Sequence, residues 1–242
     1  MNGYHYVWLI WSSAFFAAFL LVYLVSPALR PTMLRAGVAT APFGLTEPLF
    51  VPAYWNPPSL FDLAQRTGFD IESLIFTFSI GAVAVVLYNR LTGHGVTSVA
   101  GPARSSRRHR LHRLALLAPA ITFLLLVPLG WNPIYPAVIA MTSGAAAAVA
   151  CRPDLLWKTL VGGFLFLGYY SLFMLGLVVS APGYVEQVWN LSALSGLRPL
   201  GIPVEELMFG FAFGLYWSSV YEHLTWSRSL NPDGRSRSVA GT

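Results

Sequence analysis

Long apolar runs, separated by short polar segments, dominate this chain of 242 residues. A helix rises 1.5 Å per residue, so about 20 apolar residues are enough to cross the ~30 Å hydrocarbon core of a membrane. Six runs reach about this length, at roughly 6–29, 70–91, 113–130, 133–151, 157–180 and 203–226. The pattern predicts an all-α fold: a polytopic membrane helix bundle with about six transmembrane helices.

The longest interruption of this pattern, residues 30–69, is rich in proline and is predicted to be a loop. Within it, Ser59 to Thr67 has the polarity of a short amphipathic helix at the membrane surface. The first run, which ends at Leu29, lacks a basic start and is longer than the apolar core of a signal peptide. We therefore expect it to be retained as the first helix.

The composition supports membrane insertion and excludes several other classes of protein. The chain is 55% hydrophobic and 10% charged, whereas a soluble domain is about 25% charged. The single cysteine, Cys151, excludes a disulfide framework and a multi-cysteine metal site. His94, His109 and His112 share one basic loop without a paired carboxylate. We therefore predict no metal and no other cofactor.

Basic residues concentrate in three segments that lie between or after the apolar runs, and the net charge is +5. In short loops such a bias sets the orientation in the membrane, which is a simpler interpretation here than nucleic-acid binding. We predict that these segments face the cytoplasm, with both termini inside, in a protein integral to the cell membrane. The bilayer is then a partner and nucleic acid is not. The residues concerned are Arg104, Arg107, Arg108 and Arg110 of loop 92–112, then Arg113, Arg152 and Lys158, and finally Arg228, Arg235 and Arg237.

Two segments of the chain, 68–88 and 201–221, match without gaps at a distance of 133 positions. The informative match is Glu72 with Glu205, because the chain has only 10 acidic residues and a carboxylate at the edge of hydrocarbon is costly. A Trp-Asn pair precedes each segment, at Trp55-Asn56 and Trp189-Asn190. These matches predict a parallel internal duplication. The predicted parts are 1–112 (first half-repeat, helices one and two and the basic loop), 113–226 (helices three to six with the second half-repeat) and 227–242 (a flexible cytoplasmic tail).

Glu205 and Glu206 stand in the first turn of the last predicted helix, directly after Pro203. Helical spacing places an aromatic face below them, made of Phe209, Phe213, Tyr216 and Trp217. Acidic residues in a first turn also complement the helix dipole without any chemistry. The duplication and the two adjacent carboxylates favour chemistry, because neighbouring like charges favour one neutral acid that can donate a proton.

The string from Trp189-Asn190 through Gly196 to Ile202-Pro203-Val204-Glu205-Glu206-Leu207-Met208-Phe209 resembles the membrane-integral, heterodimer-type lycopene cyclase domain family of carotenoid biosynthesis. That family has duplicated halves, as two subunits or fused, so this chain resembles a divergent single-chain member. The resemblance implies an intramolecular lyase or isomerase that closes a ring at the end of a lipophilic linear carotene, without net redox change or cofactor. It implies catalytic roles for Glu205 and Glu206, with Glu72 as their counterpart in the first half. From the matched segments and the helical spacing, we predict that the substrate is bound by Asp70, Trp189, Phe209, Phe213, Tyr216 and Trp217.

Several alternatives stay open at this stage. The first copy has Asp70-Ile71-Glu72-Ser73 in place of a Pro-x-Glu-Glu string, so the sequence does not decide whether the first half is catalytic. A small ion-coupled transporter also has internal repeats and intramembrane carboxylates. A non-catalytic polyprenoid-binding subunit is the third hypothesis, and a homo- or hetero-oligomer is open in each case. Glu222-His223 lies about 25 Å along the helix from Glu205 and is interpreted as a juxtamembrane polar pair.

Overall fold

The computed structural model describes residues 4–99, 101 and 107–230. Its architecture is a helix bundle, which confirms the all-α prediction. The α-helices in these residues are α1 (Val7–Val25), α2 (Arg30–Thr40), α3 (Leu63–Thr67), α4 (Ile71–Thr92), α5 (His112–Leu126), α6 (Ile134–Cys151), α7 (Leu156–Ser180), α8 (Tyr184–Val188) and α9 (Val204–Thr225). Short 3-10 segments join them, at Pro27–Leu29, Ala41–Leu49, Leu60–Asp62, Arg107–Leu111, Val127–Leu129, Pro153–Leu155, Leu191–Ala193 and Pro199–Gly201.

Five helical segments in the described part of the chain are long and apolar enough to cross a membrane. They are Val7–Val25, Ile71–Thr92, His109–Leu129, Ile134–Cys151 and Pro153–Ser180, each within one of the first five predicted runs or extending it by a few residues. Helix α9 has 22 residues, or about 33 Å at 1.5 Å per residue, and is long enough as well. It is less apolar because it carries Glu205, Glu206 and Glu222. The sixth span therefore stays a prediction.

The prediction of a loop over 30–69 was wrong for its first part, where α2 and the 3-10 segment Ala41–Leu49 lie. Pro31 is compatible with α2 because it stands in the first turn, where no backbone N–H is needed. Tight packing on α4 then holds α2 in place. A side chain at Gly81 would come within 2.1 Å of the Thr40 hydroxyl. In the second part, α3 lies within the predicted amphipathic helix of Ser59 to Thr67.

Helices α7 and α9 approach each other closely through glycines. A Cβ atom at Gly214 would lie 2.6 Å from the Cβ of Phe166, and one at Gly162 would lie 2.3 Å from the Cβ of Ser218. Gly210 faces Tyr170 in the same way. The small residues that the sequence spaces four apart on α9 thus bring Tyr170 of α7 next to the first turns of α9.

The carboxyl ends of α4 and α9 meet at a buried ion pair. Lys158 of α7 bonds to the Glu222 carboxylate and donates to the side-chain oxygen of Asn89 at 2.6 Å. Lys158 is 3% exposed and Glu222 is 1% exposed. The interpretation of Glu222-His223 as a juxtamembrane polar pair stays a prediction, but the sequence did not indicate that both residues are buried. Packing of three helix ends buries both residues, which the spacing on α9 alone does not reveal.

A short β-ribbon covers this end of the bundle. Strand β1 (Gly95–Ser98) pairs antiparallel with β2 (Ser227–Leu230), with Gly95 opposite Leu230. The segment predicted as a flexible tail, 227–242, thus begins with an ordered strand, and residues 231–242 lie outside the described residues. Because β1 follows α4 and β2 follows α9, the two helices that carry the repeated motifs run in the same direction.

The orientation in the membrane stays a prediction that labelling tests directly. In a Cys151→Ala background, a cysteine at position 105, in the basic loop, is expected to react with a membrane-impermeant thiol reagent only from the cytoplasmic side. A cysteine in place of Ser195, just before α9, is expected to react only from the other side. Labelling of both positions from one side would contradict the predicted topology.

Candidate active site

A cavity of about 930 Å³ lies inside the bundle, along one face of α9. Its wall follows α9 from Glu206 in the first turn to Thr225 in the last, about 28 Å at 1.5 Å per residue. Helices α1, α2, α4, α5, α6 and α7 and the segments around Glu47, Tyr54 and Trp189 contribute the rest of the wall, mainly with apolar and aromatic side chains. The volume is near the upper end of the range of ~300–1,000 Å³ for small-molecule sites, so the cavity suits a large apolar ligand.

The carboxyl group of Glu206 lies at one end of this cavity and accepts three hydrogen bonds. Tyr54 donates to Oε1 at 2.5 Å, the indole N–H of Trp189 donates to Oε1 at 2.7 Å, and Tyr170 donates to Oε2 at 2.5 Å. The side chain is 4% exposed. These three donors hold the carboxyl group in a fixed position.

Two of those donors come from the repeated Trp-Asn segments, which lie side by side. Trp55 and Trp189 form an isolated antiparallel bridge. The N–H of Asn56 donates to the Val188 carbonyl at 2.8 Å, and the N–H of Asn190 donates to the Tyr54 carbonyl at 2.9 Å. This reciprocal pairing brings Tyr54 from the first half and Trp189 from the second onto one carboxyl group. It supports the predicted duplication, which stays a prediction.

The other predicted acidic site residues do not line the cavity. Glu205 Oε1 accepts from the Tyr135 hydroxyl and from the backbone N–H of Ser195, both at 2.8 Å. Glu72 Oε1 accepts from the backbone N–H of Leu60 at 2.7 Å. Glu205 and Glu72 thus have equivalent roles, since each fixes the segment that precedes its helix. The two repeated residues, Glu72 and Glu205, thus bond to neighbouring segments of the protein. Glu206, which has no counterpart in the first copy, is the one that lines the cavity.

Asp70, which the sequence predicts to bind substrate, lies directly before α4. Its Oδ1 accepts from the N–H of Ser73 at 2.6 Å, as the N-terminal cap of α4, and its substrate-binding role stays a prediction. Its side chain is completely buried behind the cavity wall. An Asp immediately before a helix commonly caps the first free N–H groups, and that local signal was available in the sequence.

The aromatic residues predicted to bind substrate do line the cavity. Trp189 stands beside Glu206, and Phe209, Phe213, Tyr216 and Trp217 follow along α9. The rings of Phe213 and Trp217 stack with centroids 4.5 Å apart. The helical periodicity of the sequence identifies this stripe because all of it lies on one side of α9.

A second carboxyl group on the wall, Glu47, was missed by the sequence analysis. It lies in the 3-10 segment Ala41–Leu49, is 4% exposed, and lines the same cavity as Glu206. Neither of its oxygens makes a hydrogen bond of normal geometry. Burial, and next the nearby carboxylate of Asp70, raise the pKa of Glu47 from its ordinary value of 4.5 to about 8. Glu47 is therefore a neutral acid at pH 7.

The position of Glu47 depends on a close approach between its segment and α4. A Cβ atom at Gly44 would lie 2.8 Å from the backbone of Ser73 and Leu74, so only glycine fits there. The sequence signal was a lone acid in the otherwise uncharged stretch from residue 41 to residue 54. Its proline content indicated a loop, and a 3-10 segment has no periodicity that shows which side chain points inward.

The arrangement provides a neutral acid, a second carboxyl group held by three hydrogen bonds, and aromatic walls in one apolar cavity. Water is a poor competitor in such an environment, so charge–charge and cation–π interactions are strengthened. Among the described residues that form the wall, the polar groups are carboxyl, hydroxyl, indole and guanidinium groups. These can donate and accept protons and stabilise a carbocation.

Comparison with known proteins finds a similar family for the second part of the chain. A family model described as lycopene cyclase matches residues 132–224, a range that includes Tyr135, Tyr170, Trp189 and Glu206. Comparison with curated proteins and with solved structures gives no match. The first half, with Tyr54 and Glu47, lies outside the matched range. The match confirms the resemblance found at the Trp-Asn and Pro-x-Glu-Glu strings: residues 132–224 are similar to the lycopene cyclase family.

Proposed function

We propose that this protein is a carotene cyclase that closes a ring at the end of lycopene or a related linear carotene by acid–base chemistry in the membrane. The observation that carries the proposal is the placement of Glu206 and Glu47 on one aromatic-lined cavity in a chain with a lycopene cyclase domain. Its length along α9, about 28 Å, suits an extended polyene.

Glu47 is the proposed proton donor. A neutral carboxyl group can protonate the terminal C=C bond of the substrate, which gives a tertiary carbocation. The neighbouring C=C bond attacks this cation, so a C–C bond forms, the ring closes, and the positive charge moves into the ring. The raised pKa of Glu47 supports this assignment because the donor is in its acid form at neutral pH.

Glu206 is the proposed base. As a carboxylate it removes a proton from the carbon next to the cationic centre, and the electron pair of that C–H bond becomes the new C=C bond. One proton is gained and one is lost, so the product is an isomer of the substrate and no electrons are exchanged. Tyr54, Tyr170 and Trp189 hold the carboxylate in place for this step.

The aromatic stripe is proposed to stabilise the cyclic cation. Phe209, Phe213 and Trp217 present ring faces and edges to the same cavity as the two carboxyl groups. A cation over an aromatic face gains about 0.5–2 kcal/mol, and more where water is excluded. The two halves then build a single site, with the acid from the first half and the base from the second.

The proposal is tested by expressing the chain in a host that accumulates lycopene and extracting the carotenoids. The expected product has the mass of lycopene and one C=C bond fewer per ring. Lycopene that is retained on the purified protein but unchanged would instead support a polyprenoid-binding subunit. Unchanged and unbound lycopene, together with ion flux in liposomes, would support the transporter. The comparison requires equal amounts of wild type and Glu206→Gln in the membrane.

The role proposed for Glu47 gives a pH prediction. Ring formation by the purified protein is expected to fall as the pH rises through about 8, because Glu47 loses the proton that it donates. The Glu47→Gln variant is expected to be at least about 100-fold slower, and its remaining activity should not show this fall. Product formation at a series of pH values, with carotene in detergent micelles, measures both effects.

Thermal unfolding provides a readout of Glu47 that does not depend on activity. The folded-state pKa of about 8 lies above the ordinary 4.5, so the folded state binds the extra proton between these values. This contribution to the free energy of unfolding is complete below pH 4.5 and is lost as the pH rises through about 8. Wild type should lose stability in this window, and Glu47→Gln should lose less. Identical pH profiles for the two proteins would contradict the assignment.

A further inference from the structure

Three potential metal ligands converge at the end of the bundle opposite Glu206, and a fourth, His109, contacts one of them. One ligand atom each from His112, Cys151 and His223 lie within 4.8 Å of one another. The Cys151 sulfur is 3.5 Å from Nδ1 of His112 and 3.5 Å from Nδ1 of His109. These residues come from the 3-10 segment Arg107–Leu111, the start of α5, the end of α6 and the last turn of α9.

The cluster contains a buried polar atom whose environment does not satisfy it. His223 is 1% exposed, and its Nε2 atom has no hydrogen-bond partner. Leaving such an atom unpaired costs about 1–3 kcal/mol, so a buried unsatisfied group requires an explanation. A bound cation would supply the missing partner and would also use the lone pairs of the neighbouring imidazoles and thiolate.

The distances suit a tetrahedral ion. With Zn–N bonds of 2.0–2.1 Å and a Zn–S bond of 2.3 Å, neighbouring ligand atoms are about 3.3–3.6 Å apart. The two 3.5 Å separations from Cys151 are already in this range. The ligand atoms of His112, Cys151 and His223 lie within 4.8 Å of one another, so a bound ion requires these side chains to move inward. His109 lies outside this group of three and must also move closer to it. Three imidazoles and one thiolate form a ligand set typical of zinc.

The surroundings of the cluster support its geometry. The Trp226 ring stacks on His112 with centroids 4.2 Å apart and meets His109 edge-on at 4.8 Å. Arg152, whose guanidinium lies 5.9 Å from the Trp226 ring, is paired with Asp154 at 2.6 Å. The Asp154 carboxylate offsets part of its positive charge.

We propose that His109, His112, Cys151 and His223 bind one Zn²⁺ ion that fastens the ends of α5, α6 and α9 together. This site is independent of the proposed cyclase activity, because it lies about 25 Å along α9 from Glu206. The sequence analysis predicted no metal because it found His109 and His112 in a loop without a carboxylate. The packing of α5, α6 and α9, which brings Cys151 and His223 close to these histidines, cannot be derived from the spacing of residues in the sequence.

The experiment uses the full-length protein, purified in detergent without a histidine tag and stripped with a chelator. Co²⁺ is titrated as the probe, since it replaces zinc in tetrahedral sites and reports the geometry. We expect one equivalent to give the intense visible bands of tetrahedral cobalt and a near-ultraviolet thiolate-to-cobalt charge-transfer band. Added Zn²⁺ should abolish both signals. A weak octahedral spectrum, or no saturable binding by the wild type, would overturn the proposal.

Variants identify the ligands. Cys151→Ser is expected to lose the charge-transfer band, and His223→Gln is expected to weaken Co²⁺ binding at least tenfold, since even partners outside the ligand shell contribute about 10–100-fold. His94→Gln, a histidine outside the cluster, is the matched control and should bind like the wild type. If Cys151→Ser kept the charge-transfer band, or if the three variants bound equally, the assignment would be wrong. Thermal unfolding of the wild type with and without Zn²⁺ gives a second test, since binding to the folded state raises the midpoint.

Discussion

Replacing Glu206 by glutamine is expected to reduce ring formation at least about 100-fold, as is typical for the loss of a group that transfers a proton. Glutamine has nearly the same size but cannot accept the substrate proton. It also places an NH₂ group either towards Tyr54 and Trp189, which donate to Oε1, or towards Tyr170, which donates to Oε2. The measurement is the rate at which lycopene is converted by purified protein, at equal amounts of folded enzyme.

The neighbouring residue provides a closely matched control. Glu205 is on the same helical turn and is 1% exposed, but it bonds to Tyr135 and to the backbone of Ser195 instead of lining the cavity. Glutamine retains an oxygen that can accept both bonds, so Glu205→Gln is expected to keep activity within about tenfold of wild type. Equal losses of ring-forming activity in Glu205→Gln and Glu206→Gln would contradict the assignment of catalysis to the residue that lines the cavity.

The largest expected effect on stability comes from breaking the buried pair of Lys158 and Glu222. Glu222→Gln should lower the free energy of unfolding by about 3–5 kcal/mol, because it leaves the Lys158 ammonium group buried without its counter-charge. The same is expected of Lys158→Met. Unfolding in mixed micelles measures the change, and the folded fraction of Glu222→Gln should retain ring formation, since the pair is far from the cavity end that holds Glu206.

Two further variants determine whether charge pairing is the cause. Replacing Lys158 and Glu222 together by methionine and leucine should restore much of the loss, since neither charge is then left alone. The ion pair of Arg198 and Glu186 is exposed by 38% and 53%, and Glu186→Gln should cost less than about 1 kcal/mol. If Glu222→Gln were no more harmful than Glu186→Gln, the buried pair would not stabilise the bundle.

Periodicity and composition predicted the features that depend on the local chain. The positions of the helices follow from the length of the apolar runs, and the aromatic stripe on α9 follows from helical spacing. Each of these features depends only on the sequence of the helix in which it occurs. The difference between Glu205 and Glu206 does not follow in this way. It depends on where Tyr54, Tyr135 and Ser195 lie around the start of α9, and these groups belong to other segments.

The interpretation of the repeated glutamate illustrates a general limit. The match of Glu72 with Glu205 was taken as a sign of chemistry, but each of these side chains accepts a bond from a preceding backbone N–H, at Leu60 and Ser195. A duplicated fold repeats its structural contacts as well as its chemical ones. Glu47 was not predicted as a site residue because it lies in an irregular segment and has no counterpart in the repeat.

The central claim is that one cavity uses Glu47 and Glu206 to isomerise a linear carotene. Incubation of the purified wild-type protein with lycopene, without any added cofactor or reductant, tests it most directly. The account predicts a cyclic product with the mass of lycopene, formed by wild type and lost in both Glu47→Gln and Glu206→Gln. Lycopene that stays unchanged with folded wild-type protein, or a product whose mass differs from that of lycopene, would contradict it.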